Sequence, residues 1–256
     1  MKKAYRFSIG GICFLTILLA FFVSLSGQSS INRLVITGFK VSPPGDREHS
    51  PRLPGDEPTK TTGREAEQEL AFTLVVNKKH HLTAEYIPPD LTVPKVPFSF
   101  TEDLPKKRMR KEAAEALEEL FDAARREGIE LVGVSAYRSY ERQAEIFAYN
   151  ARQRGEEVAN QVSARPGESE HQTGLAIDVS CASVKYQLIE EFGETKEGKW
   201  LADHAAEYGF IIRYPKGKEE ITGYQYEPWH LRYVGRQAAQ RIKEEGITLE
   251  EYKGFK

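Results

Sequence analysis

The sequence predicts an α+β fold: a small, mostly antiparallel sheet with helices packed on it, in one domain over residues 71–256. Three observations predict it. Short runs alternate apolar and polar residues with the period of a strand, and longer stretches repeat apolar residues with the period of a helix. Connections between the strands are long and the helices are segregated, which suits a sheet covered by helices. There is no internal repeat, and about 185 residues suit a single core.

The elements follow in chain order. Lys2, Lys3 and Arg6 precede an apolar run from Ile9 to Leu25, so residues 1–27 are expected to be a secretory signal or, if uncleaved, a membrane anchor. Residues 28–70 turn polar and Pro-rich, as in Val41-Ser42-Pro43-Pro44-Gly45, and are expected to be a disordered tether. Pro105 is expected to open a helix with Ala113, Leu117, Leu120, Phe121 and Ala124 on one face, ended by Gly128. A strand over Glu130 to Tyr137 follows. Ser139 then caps a helix from Tyr140 with Ala144, Phe147, Ala148 and Ala151 inward and Gly155 as its stop. A short helix is expected from Lys199 to Tyr208, a strand from Phe210 to Tyr214, and a closing helix from Arg236 to Glu245.

The residues richest in chemistry stand in two stretches, Ser169 to Asp178 and Glu227 to His230. Leu175, Ile177 and Val179 alternate with Ala176, Asp178 and Ser180, the pattern of a half-buried strand that turns Asp178 away from the apolar face. His171 comes from the loop before it, and Gly174 permits a close backbone approach. His171, Asp178 and His230 form a three-ligand set for one Zn2+ that leaves a position open for water. Glu227, three residues before His230, is placed to take a proton from that water. A regular strand would put residues three apart on opposite faces, so a bulge or twist near Pro228 is required. Trp229 lies between them and is the aromatic residue assigned to the site.

Other classes are disfavoured. Basic and acidic residues nearly balance, 36 against 38, which gives no reason to expect nucleic acid. The two cysteines make no disulfide framework. Cys13 lies in the leader, and Cys181 falls in register with Val179 on the core face.

Three blocks also carry a family resemblance: Ser135-Ala136-Tyr137-Arg138-Ser139, Ser169 to Asp178, and Glu227-Pro228-Trp229-His230-Leu231-Arg232-Tyr233-Val234-Gly235. In order and spacing they resemble the VanY-type D-Ala-D-Ala carboxypeptidases, zinc peptidases of peptidoglycan related to D-Ala-D-Ala dipeptidases and L,D-carboxypeptidases. The resemblance runs over roughly residues 71–250, with no departure at the zinc or base positions. It implies His171, Asp178 and His230 as zinc ligands and Glu227 as general base. It implies further that Arg138 contacts the substrate carbonyl or terminal carboxylate, and that Gln143 and Ser169 help to hold the terminal D-Ala. The expected substrate is a peptidoglycan stem peptide, met outside the cytoplasm by a secreted or membrane-anchored chain with no obligate protein partner. The blocks favour D,D cleavage, with L,D cleavage of tetrapeptide stems as the alternative. A wall-binding module with structural zinc is a third reading, and the intact Glu227 argues against it.

Overall fold

The computed structural model describes residues 61–255. Its helices are α1 (Thr61–Phe72), α2 (Lys111–Arg126), α3 (Tyr140–Arg154), α4 (Glu156–Val162), α5 (Lys196–His204), α6 (Glu219–Thr222), α7 (Arg236–Glu245) and α8 (Leu249–Tyr252). Its strands are β1 (Leu91–Thr92), β2 (Met109–Arg110), β3 (Val132–Ser135), β4 (Ala176–Ser180), β5 (Phe210–Tyr214) and β6 (Glu227–Tyr233). Strands β3, β4, β6 and β5 form the main sheet in that order, antiparallel throughout. The class is α+β, as expected.

Ile177, Val179 and Leu231 share one core cluster with Ala113, Leu117, Leu120, Phe121 and Ala124 of α2. Leu117, Leu120, Ile177 and Leu231 are fully buried, and each such side chain contributes about 1.5–3 kcal/mol. A second cluster joins Ile211 and Val234 to Ala238, Ala239 and Ile242 of α7 and Leu249 of α8. Cys181 is buried in the main core, as its register predicts.

Several elements differ from expectation. Pro105 begins a separate 3-10 turn (Pro105–Lys107), and α2 starts only at Lys111, because Met109 and Arg110 pair with Thr92 and Leu91. Strand β3 stops at Ser135, since the Ala136 and Tyr137 amides bond to the Lys106 and Arg108 carbonyls instead of the sheet. Helix α3 has its predicted bounds, with the Ser139 hydroxyl accepting from the Arg142 amide. Its buried residues are Gln143 and Phe147, while Ala148 is exposed, so the helix rests on a narrower stripe than its alanines suggest. Helix α5 starts three residues early, at Lys196, because the Thr195 hydroxyl caps it through the Gly198 amide. Tyr224 to Tyr226 precede β6 instead of extending it. Strand β4 is buried along its whole length, not half-buried, because its polar face lies beneath a cavity and not in open solvent.

Helix α1 begins within the stretch read as tether and delivers Phe72 to the core. The rest of that tether and the signal or anchor segment lie outside the described residues. Among the described residues no helix is long and apolar enough to cross a membrane.

Candidate active site

Three segments build the site. His171 sits in a 3-10 turn, Glu170–Thr173, that Gly174 ends with φ 69°, in the left-handed region. A Cβ on Gly174 would meet Leu91 Cδ2 at 2.8 Å, and the Gly174 carbonyl accepts from the Arg110 amide over 2.8 Å. Only glycine fits both demands. Asp178 is central in β4 and pairs in register with His230 of β6, so the sheet itself sets two of the three candidate ligands side by side.

The third relationship depends on the expected irregularity. Between the pairs Ile212–Leu231 and Tyr214–Glu227, β5 advances from 212 to 214 while β6 runs from 231 to 227. The surplus on β6 bulges the strand, and Glu227 Oε2 comes within 3.6 Å of His230 Nδ1.

One donor atom from each of His171, Asp178 and His230 lies within 4.8 Å of the others, and all three residues are buried. His171 Nδ1 donates to the Ala136 carbonyl over 2.7 Å, which leaves Nε2 with the lone pair, 3.3 Å from Asp178 Oδ2. His230 Nδ1 lies 3.1 Å from Asp178 Oδ1, yet that oxygen has no hydrogen-bond partner among the described residues. The three groups thus converge on a common point instead of satisfying one another. Two imidazoles and a carboxylate in this arrangement fit the donor set of a catalytic zinc with an open position.

The electrostatics agree with a cation site. Burial pushes His230 down, but the nearby carboxylates of Asp178, Glu170 and Glu227 outweigh this and carry it up to about 9. Burial and the charge of Asp178 raise Glu227 to about 7, against the opposing pull of His230 and Arg138. A carboxyl poised there can both take and return a proton near neutral pH.

A cavity of about 290 Å³ opens over this cluster, and Arg138, Ser169, Glu227, Trp229 and Tyr224 are among its walls. Arg138 lies in the link from β3 to α3. Its Nη1 donates to Gln143 Oε1 over 2.7 Å, and its Nη2 to Ser135 Oγ over 3.2 Å. Gln143 is buried behind Arg138 and away from the cavity wall, with its Nε2 donating to the Ala164 carbonyl over 2.6 Å. Its side-chain amide thus bonds both to the Arg138 guanidinium and to the 163–164 segment. Ser169 and Trp229 do reach the wall.

Sequence reasoning missed the support behind the ligands. Ala136 contributes only its carbonyl, which no side-chain pattern announces. Glu170, Arg213, Arg232 and Glu250 are all buried. Their one signal is an arginine set within each of two apolar strand runs, Ile211-Ile212-Arg213-Tyr214 and Leu231-Arg232-Tyr233. Such an arginine is buried only when paired.

Comparison with known proteins agrees with this geometry. The profile described as VanY, D-alanyl-D-alanine carboxypeptidase, matches residues 106–236. YodJ of Bacillus subtilis (strain 168) is 56% identical over 178 residues, 70% of this chain; the chain covers 65% of that relative, just under two thirds of its length. The solved structure of the LdcB LD-carboxypeptidase has 54% identity and a TM-score of 0.70, over 74% of this chain and 88% of that one. A vancomycin-resistance D,D-pentapeptidase VanY, solved as a glutamate-to-alanine mutant with Zn(II), has 33% identity and a TM-score of 0.60, over 72% of this chain and 99% of that one.

Proposed function

The chain belongs to the VanY family of D-alanyl-D-alanine carboxypeptidases, and from that premise we propose that it is a zinc carboxypeptidase removing the terminal D-Ala from peptidoglycan stem peptides. The observation that carries the reading is the buried convergence of His171, Asp178 and His230 beneath a cavity that also holds Glu227 and Arg138.

His171 Nε2, Asp178 and His230 Nδ1 would hold the zinc. Zinc so held supplies Lewis acidity toward the scissile carbonyl and makes water acidic enough to lose a proton near neutral pH. Glu227 takes that proton and later delivers it to the amine of the leaving D-Ala. Arg138, fixed from behind by Gln143 and Ser135, offers its fork to the peptide's terminal carboxylate or to the oxyanion formed on the carbonyl. Ser169 and Trp229 shape the wall against the terminal residue.

For the bond cut, we favour L,D cleavage of tetrapeptide stems over the D,D cleavage that the motif blocks alone suggested. The support is the stronger likeness to LdcB, 54% against 33% for the D,D-pentapeptidase, with TM-scores of 0.70 and 0.60. D,D cleavage of pentapeptides is the second reading, supported by the family description. Such substrates lie outside the cytoplasm, which fits the basic and then apolar N-terminal sequence and the Pro-rich sequence that follows it.

Incubation with tetrapeptide and pentapeptide muropeptides, followed by mass spectrometry, tests the reading. Loss of D-Ala from the tetrapeptide with the pentapeptide intact is expected. The reverse pattern would establish D,D cleavage instead. Zinc binding without hydrolysis of either would leave a wall-binding module.

A further inference from the structure

The three candidate ligands leave the most heavily charged part of the interior unexplained. Glu170, which reaches the cavity wall, is buried together with Arg213, Arg232 and Glu250 behind it. Arg213 Nε donates to Glu170 Oε1 over 2.8 Å, and its terminal nitrogens donate to the two Glu250 oxygens over 2.9 and 2.6 Å. Arg232 Nη1 donates to the same Glu170 Oε1 over 2.6 Å, while its Nη2 serves the Phe72 and Leu74 carbonyls. Asn77 Nδ2 donates to Glu250 Oε1 over 3.0 Å.

Two arginines on one oxygen leave the other oxygen of Glu170 free. That atom, Oε2, has no hydrogen-bond partner among the described residues, and neither does His230 Nε2, which it faces at 3.7 Å. A small turn of the ring closes this gap to hydrogen-bond length. Burying two ion pairs is a poor route to stability compared with an apolar cluster of the same volume. The arrangement calls for another purpose.

We propose that Glu170 is a positioning residue for the metal centre: its free oxygen accepts the Nε2 proton of His230, so that Nδ1 carries the lone pair toward Asp178 and His171. Arg213 and Arg232 decide which oxygen is left for this task, and Glu250 of α8 holds Arg213. The inference rests on the zinc reading above. It makes His230 the mirror of His171, whose Nδ1 proton is held by the Ala136 carbonyl so that Nε2 is the donor. Such partners orient an imidazole and raise its basicity.

Two near-isosteric variants separate positioning from charge, Glu170→Gln and Glu250→Gln. Each removes one negative charge from the same network. In Glu170→Gln the amide oxygen must stay with the two arginine donors, which turns the NH2 group onto His230 Nε2. Two donors cannot share that contact, so the proton is driven to Nδ1 and the ligand lone pair is lost. Zinc affinity of the full chain, measured against a competing chelator, should fall about 10–100-fold in Glu170→Gln and stay within about threefold of wild type in Glu250→Gln. The visible spectrum of the cobalt(II) form should change only in Glu170→Gln. Nitrogen NMR of histidine-labelled, zinc-loaded wild type should show His230 bound through Nδ1 and protonated at Nε2; this measurement stands even if a variant does not fold. Equal loss in both variants, no loss in Glu170→Gln, or His230 bound through Nε2 overturns the proposal and leaves the zinc reading intact. A wild-type chain that binds no zinc overturns both.

Discussion

Glu227 Oε2 stands 3.6 Å from Nδ1 of His230, the same nitrogen that faces Asp178 Oδ1 at 3.1 Å. A single imidazole edge therefore faces both a carboxylate of the candidate metal cluster and the carboxylate proposed as general base, although the two come from different strands. This closeness separates ion binding from proton transfer in an experiment.

Glu227→Gln should keep zinc bound and lower kcat at least about 100-fold, because the amide fills the same space but cannot take a proton. Metal content by mass spectrometry and steady-state kinetics on the preferred muropeptide check it. Near-normal turnover would assign the proton to another group.

Removing metal should abolish hydrolysis, and zinc should restore it. His171→Ala and His230→Ala should each reduce zinc occupancy after dialysis against a weak chelator, since each deletes one of the three proposed protein donors. Full occupancy in both variants would sink the ligand assignment.

Arg138→Ala and Gln143→Ala should fail in graded fashion. The first removes a guanidinium that can serve both ground and transition states, so KM should rise and kcat fall together. The second leaves the guanidinium but frees it from the 2.7 Å bond that aims it, and about a tenfold loss in kcat/KM is expected from misplacement alone. Equal losses would place Gln143 in direct contact with substrate.

Arg213→Met should destabilise the metal-free chain by about 3–5 kcal/mol, because it leaves buried Glu250 and half of the support of Glu170 unpaired. Urea unfolding followed by circular dichroism reads this. A shift under about 1 kcal/mol would mean that water or rearrangement satisfies the carboxylates.

The candidate site is legible where chemistry resides in side-chain type and spacing. His171, Asp178, Glu227 and His230 are unusual company in two short stretches, and the geometric conflict between Glu227 and His230 itself required the bulge that β6 contains. The sheet was legible in the same way, from the alternation in β4 and the Phe210–Tyr214 run. Other features arise only from tertiary pairing. Period-2 reasoning assigns Arg213 and Arg232 to a solvated face. The docking of the 3-10 turn at Glu170, of α8 through Glu250 and of the 72–74 segment against β5 and β6 turns that face into an interior. Ala136 offers His171 only its backbone carbonyl, and Gln143 bonds to Arg138, so no side-chain pattern announces either contact. Pro105 misled because its fixed φ suits the first turn of any helix, and the pairing of Met109 and Arg110 with β1 then delays α2.

Asp178 and His230 are partners across one antiparallel ladder, and this has a thermodynamic consequence. Backbone hydrogen bonds set their separation without an ion, so a zinc ion bound there would complete an architecture that already exists. Titrating zinc into the metal-free chain should give a small heat-capacity change and leave the far-ultraviolet spectrum unaltered, unlike small zinc domains in which binding and folding are one event. If the zinc reading holds, loading would be a late and reversible step, and supply of the ion would set how much of an already folded population is competent.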